Sequence, residues 1–570
     1  MDNGQIPGSG TEQDAHASGT NPFLAPILQR AAANPDSLFA VYHEEGVWSA
    51  VTLERLVRRA LQFVTLYRTL GAAPGETILL ILRHGLDGHA AFLGGMLAGL
   101  IPSYLPYPNA RHDHTLYWAQ HRAVLALRRP AVVLVYDELH QAILALAEGT
   151  RIAVAPLSAV DRHDPAALPP ALAGADSVGL LQHSSGTTGL KKGVALSYGA
   201  IARQLAAYRD ALRFDGAEAR IASWLPLYHD MGLISSFLLP LWVGAPIISI
   251  DPFTWVSAPA LFLDAIHEYR ATHAWLPNFA FLHLARRVRD PETWDLRSLR
   301  ALISCSEPCK PEAFDAFLAR FQASGIEPHM LQTCYAMAET VFAVSQSNPG
   351  APPRRVRVDR KAIEQLGRLG VPDTAEDAVT LLSNGRPIAG CAVRILRAGA
   401  FVGEHEIGEI CVSARYMFSG YHENPEATAA SFHGTWYRTG DLGFLSGGEV
   451  FIVGRLKDII IVNGKNIFAH DVEAAVSRIP GVKPGRSVAF GRFSQRIGSE
   501  ELIVVAERAG EPRDDGRVMA EINRAVVEEV GVPCSDVRLV AVGWLVKTTS
   551  GKVSRADNAT RYTAPPGPTA

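Results

Sequence analysis

Cysteine is scarce in this chain, with six in 570 residues, at positions 305, 309, 334, 391, 411 and 534. None forms a CxxC pair of the kind that holds zinc, and their density is far below that of a disulfide framework, so reduced thiols and a cytoplasmic location are expected. A charge excess is missing too: 54 Lys and Arg stand against 57 Asp and Glu, for a net charge of -3. The basic residues are scattered, without an arm or stripe, which argues against a protein built to hold nucleic acid. No cationic start followed by an apolar run occurs in residues 1–20, which are polar and rich in Gly and Ser. That stretch reads as a disordered tail rather than a signal or transit peptide.

Long apolar runs are also nearly absent. The exception is Met231 to Ile250, twenty residues without a charge, long enough to be weighed as a membrane span. Pro240, Gly244 and Pro246 interrupt it. The pieces read as a buried helix ending near Leu239, a Gly-Ala-Pro turn, and a buried strand from Ile247 to Ile250, with no stable membrane insertion.

What is present is material for a large core. Apolar residues make up 48% and charged residues 19% of the chain, and the length calls for two or more domains. From about residue 50 to 290, helical patterns (Leu53 to Leu70, Ala90 to Leu97) alternate with β-rich runs (Thr77 to Leu82, Ala131 to Tyr136). Such alternation predicts βαβ units and helix-flanked mixed or parallel sheets. Residues 347–383 loosen into Pro-rich and charged sequence with one predicted helix, Arg360 to Leu369, and read as an insertion. Short strands and Gly turns fill 408–454, and after Gly454 a small α+β pattern begins, with helices near Ala469 to Ile479 and Arg517 to Val530. The predicted boundary lies near 456.

The stretch richest in chemistry is His183-Ser-Ser-Gly-Thr-Thr-Gly-Leu-Lys-Lys-Gly193. Glycines let backbone N–H groups approach a phosphate closely, the hydroxyls of Ser184, Ser185, Thr187 and Thr188 add donors, and Lys192 adds a counter-charge. The stretch does not fit G-x-x-x-x-G-K-[ST], because its lysine precedes the last glycine and no Ser or Thr follows to open a helix. By composition alone it could also be a Ser/Gly-rich surface turn.

Five further segments follow it in order: Trp224-Leu-Pro-Leu-Tyr-His-Asp-Met-Gly-Leu233, Ser306-Glu-Pro308, Cys334-Tyr-Ala-Met-Ala-Glu-Thr340, Tyr437-Arg-Thr-Gly-Asp441 with Gly454-Arg-Leu-Lys-Asp458, and Lys547-Thr-Thr-Ser-Gly-Lys-Val-Ser-Arg555. Together they resemble the signature segments of the adenylate-forming superfamily, which includes acyl-CoA synthetases, nonribosomal adenylation domains, luciferases and fatty acyl-AMP ligases. The resemblance covers about residues 22 to 558. It implies an α/β fold with a large N-terminal domain (21–456) containing a small β-barrel-like subdomain, a small mobile C-terminal lid (457–558), and a flexible tail at 559–570.

The resemblance also implies roles. Ser184, Ser185, Gly186, Thr187, Thr188, Gly189 and Lys192 would hold the phosphates of ATP. Ser306, Glu307, Pro308, Tyr335, Ala336 and Met337 would border adenine, and Asp441 and Arg455 would meet the ribose. Thr340 would contact the α-phosphate and Glu339 would help hold Mg²⁺, since a carboxylate beside polyphosphate needs a cation between them. His229, Met231, Gly232, Asn278 and Phe279 would line the acyl site, with His229 beside the carboxylate. Lys457 would be the hinge, and Lys552 the catalytic lysine bridging carboxylate and α-phosphate.

Within the superfamily, Leu225 to Leu233, Pro277-Asn-Phe-Ala280, Ala338 to Ser345 and the insertion with Val356-Arg-Val-Asp-Arg360 look like the fatty acyl-AMP ligase branch. That branch implies a fatty acid substrate and the phosphopantetheine of an acyl carrier protein as acceptor. An acyl-CoA synthetase using free CoA, or a non-catalytic nucleotide- or acyl-binding relative, are the alternatives. Lys191 in the phosphate loop, Ala336 after Tyr335, and Cys305 and Cys309 beside the adenine turn depart from the usual pattern.

Overall fold

The computed structural model describes residues 20–108, 114–169, 171–183, 192–215, 217–370, 372, 374, 378–510, 514–547 and 553–564. The expected N-terminal tail, residues 1–20, lies outside the described residues except for Thr20.

Short, wholly buried β-branched and leucine runs form the centre. In a nine-stranded sheet, the strands Leu38–Glu44, Ile247–Ile250, Ile221–Ser223, His273–Leu276, Ala301–Ser304 and Leu331–Ala336 run parallel, with antiparallel strands at both edges. A second, all-parallel sheet orders Ile101–Tyr104, Thr77–Ile81, Val132–Val135 and Ala153–Pro156. Strands such as Thr77–Ile81 and Val132–Val135 are buried throughout and too short to show alternation, as parallel strands covered on both faces must be. Helix Leu53–Thr69 supplies part of the cover. Its N-cap Thr52 accepts from the Arg55 N–H at 3.3 Å, and Leu56, Ala60, Phe63, Val64 and Tyr67 line its buried stripe.

Several expectations need correction. The uncharged run does not end its helix near Leu239: a π-helical segment, Met231–Leu238, passes into an α-helical turn, Leu239–Val243, with Pro240 in its first positions. The widened π turn leaves room where the proline ring would collide with a regular helix and removes the need for its missing N–H. The predicted helix Arg360 to Leu369 stops at Glu364, because the chain turns through Leu366 at φ +50°. The flanks of the insertion are ordered as an antiparallel pair, Arg355–Asp359 with Ala378–Leu382. The barrel-like subdomain is an open six-stranded sheet, in which Glu449–Arg455 pairs only with Trp436–Ser446 and the path does not close. Separate apolar clusters, around Ile410 and Val412 on one side and Phe444 and Phe451 on the other, cover it without closure. The expected tail at 559–570 begins as helix, since Arg555–Thr563 continues past 558 with Tyr562 buried.

After Asp458 the chain builds a core of its own. Strands Val482–Ser494, Ser499–Arg508 and Asp536–Val540 form a sheet covered by helices Ala469–Val476 and Asp515–Val530. Among the described residues no helix is long and apolar enough to cross a membrane.

Candidate active site

The parallel strands Ile221–Ser223, His273–Leu276, Ala301–Ser304 and Leu331–Ala336 end at one edge of the large sheet, and the segments picked out by sequence leave from those ends. That edge is where open α/β sheets bind ligands.

Asp230 caps the π-helical segment by accepting from the Met231 N–H at 2.8 Å, and its contact with His229 Nδ1 at 2.6 Å fixes the imidazole. Gly232 is required here, because a Cβ at that position would stand 2.2 Å from the Pro226 carbonyl oxygen. Met231 reaches the Ser306-Glu307-Pro308 turn through its sulfur, 4.0 Å from Ser306 Oγ. Glu307 accepts from the Phe279 N–H at 3.1 Å, and Asn278 Oδ1 accepts from the Lys310 N–H at 3.1 Å. The structure therefore brings Met231, Asn278, Phe279, Ser306 and Glu307 together around one turn, with the Phe279 ring 47% exposed at its rim. Pro308 completes that turn, while Ala336 and Met337 carry the neighbouring strand end toward Glu339.

The corner around Asp441 is tightly bonded. Tyr335 donates its phenol to Asp441 Oδ2 at 2.7 Å, and Arg455 donates from Nε to Asp441 Oδ1 at 2.9 Å. Burial and the Asp441 charge push the Tyr335 phenol well above its usual range, and Asp441 raises Arg455 further above its own. Each carboxylate oxygen keeps a free lone pair, so the corner can still accept a pair of vicinal hydroxyls.

Glu339 is a different kind of carboxylate. It is buried, Tyr421 donates to its Oε1 at 2.9 Å, and among the described residues no Lys, Arg or His stands within 4 Å of it. Burial above all, with the Asp230 charge adding to it, raises its pKa from the usual carboxylate range against the pull of the phenols. A buried carboxylate without a protein cation suits Mg²⁺, which takes one or two carboxylates and completes its shell with water and substrate phosphates. Thr340, next to it, is fully buried with its hydroxyl donating to the Phe342 carbonyl at 2.9 Å. Its proton is thus engaged with the backbone.

Ser184, Ser185, Gly186, Thr187, Thr188, Gly189 and Lys552 lie outside the described residues. Their flanks are described. Lys192 is exposed at the end of the phosphate segment, with its ammonium 4.3 Å above the Tyr421 ring. Lys547 and Val553 form an antiparallel bridge that pins both ends of the lysine segment. Beyond it, Arg555 holds Asp458, the neighbour of the exposed Lys457, at 2.7 Å and Glu473 at 2.8 Å.

Residues 27–422 match the family described as AMP-binding enzyme. The chain belongs to that family. Among AMP-binding enzymes it is 32% identical over 526 residues to a probable long-chain-fatty-acid–AMP ligase, FadD30, of Mycobacterium tuberculosis, covering 86% of this chain and 88% of the relative. It is 30% identical over 509 residues to the medium-chain-fatty-acid–[acyl-carrier-protein] ligase JamA of Moorena producens, covering 84% of each. A solved structure from a study of fatty acyl-adenylate ligases of E. coli and L. pneumophila superposes with a TM-score of 0.87 at 25% identity, over 95% of this chain and 97% of that one.

Other residues of this AMP-binding enzyme were not visible as site residues in the sequence. Tyr421 and Tyr437 meet at Glu339, their hydroxyls 3.1 Å apart. Trp255 stacks on Trp224 with ring centres 3.6 Å apart, and Phe279 sets its edge against both. Val341, just after Thr340, sits at φ +66°, and Ser306 at φ +67°. For a β-branched residue that backbone is strained, and strain of this sort collects where a turn must present groups to a ligand. Tyr437 and Trp224 open two of the quoted segments, whereas Tyr421 and Trp255 stand outside them.

Proposed function

We propose that this AMP-binding enzyme activates a carboxylic acid, fatty in character, with ATP to give acyl-AMP and pyrophosphate, and then transfers the acyl group to the phosphopantetheine thiol of an acyl carrier protein. The observation that carries the first half is a pair of carboxylates gathered at the end of strand Leu331–Ala336: Asp441, bonded to Tyr335 and Arg455, and Glu339, buried and without a cation among the described residues. A ribose diol suits the first and a metal-bridged polyphosphate the second.

In the first step an oxygen of the substrate carboxylate attacks the α-phosphorus in line, and the bond to pyrophosphate breaks. Charge grows on the departing oxygens, so positioned cations matter more than a general base. Magnesium, when bound, would neutralise that charge. Lys192 would meet the terminal phosphates, Lys552 would bridge the carboxylate and the α-phosphate, and His229, oriented by Asp230, would sit beside the carboxylate. A turn about Lys457 would then withdraw Lys552 and admit the thiol.

Two features support a carrier protein over free CoA. The relative JamA is named for that acceptor. In addition, the insertion is bonded to the lid: Asn466 Nδ2 donates to the Glu364 carbonyl at 2.9 Å, and Arg360 donates to the Glu529 carbonyl at 3.1 Å. These contacts would restrain the lid rearrangement that CoA-forming relatives use.

The test is pyrophosphate release with a panel of fatty and aryl acids, each with and without CoA and a phosphopantetheinylated carrier protein. Release with fatty acids, and acyl transfer to the carrier alone, is the expected result. Acyl-CoA as the main product would overturn the acceptor, a preference for benzoates would overturn the acid, undiminished pyrophosphate exchange by Lys552→Ala would overturn the role of Lys552, and no release with any acid would point to a chain that binds without catalysing.

A further inference from the structure

We propose that Tyr421, backed by Tyr437, is a positioning residue that spans the magnesium carboxylate and the phosphate-loop lysine and sets the distance between them. The inference rests on the nucleotide half of the reading above and not on the acid or the acceptor.

Tyr421 belongs to the short strand Gly420–Tyr421, paired to Gly193–Ser197, which in turn pairs to Val178–His183. These strands bracket the phosphate segment. Tyr421 lies opposite Val194, and Val194 opposite Gln182. Directly opposed residues in antiparallel strands project from the same face, so Gln182, Val194 and Tyr421 share one face of this small sheet. Leu181 and Ala195 leave the other face, toward Ile101.

On the shared face, one side chain does two jobs. The Tyr421 hydroxyl donates to Glu339 Oε1 at 2.9 Å, and the Tyr421 ring lies under the Lys192 ammonium at 4.3 Å. A phenol hydrogen bond orients the carboxylate, while the ring face attracts the cation without neutralising it. Lys192 is thereby kept near the site but not consumed in an ion pair with Glu339. Were the two to pair directly, neither charge would remain for the nucleotide. Tyr437, buried, stands 3.1 Å from the Tyr421 hydroxyl and fixes that phenol from behind.

A second observation points to an incoming polar group. Gln182 is 3% exposed, and among the described residues neither its Oε1 nor its Nε2 has a partner. A buried amide without partners is unfavourable unless something polar arrives to meet it. It shares its face with Tyr421, where hydrated metal and phosphate oxygens would provide such partners.

The test uses the full chain and a non-cleavable α,β-methylene analogue of ATP. Thermal stabilisation is followed while Mg²⁺ is titrated, and Mn²⁺ binding is read in parallel by electron paramagnetic resonance. Tyr421→Phe keeps the ring under Lys192 and removes the bond to Glu339. It is expected to raise the Mg²⁺ midpoint about tenfold, as losing a partner of a metal ligand does, with metal-free analogue binding unchanged. Tyr437→Phe should shift the midpoint in the same direction by less. Tyr421→Leu should also weaken metal-free binding, because Lys192 loses its platform. A Tyr421→Phe midpoint within about twofold of wild type, at a tenfold expectation, would overturn the proposal. If the wild-type chain itself shows no magnesium-dependent stabilisation by the analogue, the nucleotide reading fails, and the proposal falls with it for that separate reason.

Discussion

Asp441 and Glu339 are equally buried, each 8% exposed, and each accepts a tyrosine phenol, at 2.7 and 2.9 Å. They differ in one partner. Asp441 also holds Arg455, whereas among the described residues Glu339 meets phenols, with the Asp230 charge nearby. A buried charge is stable when paired and costly when not. The Asp441 corner thus carries its own cation and, under the proposed function, would meet a neutral diol with its spare lone pairs. The Glu339 corner holds no cation among the described residues, and under the same proposal that deficit would favour a cation arriving with phosphate.

The largest effect should come from the finished corner. Asp441→Ala removes an acceptor for both ribose hydroxyls and leaves Arg455 and Tyr335 unmatched. Two hydrogen bonds to a charged group, at about 1.5 kcal/mol each, correspond to a rise in the KM for ATP of roughly a hundredfold. A change below about fivefold would mean that the ribose is not bound there. Glu339→Gln should act differently. The Mg²⁺ requirement for pyrophosphate release should rise at least about tenfold, yet without Mg²⁺ the variant should melt no lower than wild type, because an unpaired buried charge has been removed. A variant that melts lower while keeping the wild-type magnesium requirement would assign Glu339 a purely structural role.

Arg455→Gln converts one corner into the other by stripping the cation from Asp441. Arg455 is half exposed, its side chain at 53%, so the loss is screened by solvent. A destabilisation of about 1 kcal/mol is expected from chemical denaturation. Denaturation indistinguishable from wild type would show that Asp441 tolerates burial without its partner, and the contrast between the corners would then lose its electrostatic basis.

How much of this was legible beforehand follows from where each feature gets its energy. The parallel strands were legible because runs such as Ile247–Ile250 are uncharged, rich in isoleucine and bounded by Gly and Pro. Asp441, Arg455, Glu339 and Tyr335 were legible because they stand inside motifs of fixed order. The π-helical stretch was not, since the passage through Pro240 depends on a local widening of the turn that hydrophobic pattern does not encode. Of the insertion's strands, Arg355–Asp359 alternates charged and apolar residues and carried a readable signal, whereas its partner Ala378–Leu382 is uncharged and half-buried with no alternation to read. Tyr421 was hidden for a further reason. It lies 82 residues from Glu339 in the chain and meets it only through the pairing of Gly420–Tyr421 with Gly193–Ser197.

The smallest effect gives the sharpest contrast. Tyr335→Phe and Tyr421→Phe each delete one phenol hydroxyl that donates to one carboxylate over nearly the same distance. If only the carboxylates' partners matter, the two variants should differ in which ligand they weaken and not in how much they disturb the fold. Tyr335→Phe leaves Asp441 its guanidinium, so one hydrogen bond of about 1 kcal/mol is lost. The KM for ATP should then rise about threefold to fivefold with the magnesium midpoint unmoved. Tyr421→Phe should do the reverse. Steady-state titrations of ATP at saturating Mg²⁺, and of Mg²⁺ at saturating ATP, separate the outcomes. If both substitutions shift the same parameter, the corners act as one network, and the division of labour between a paired and an unpaired carboxylate is wrong.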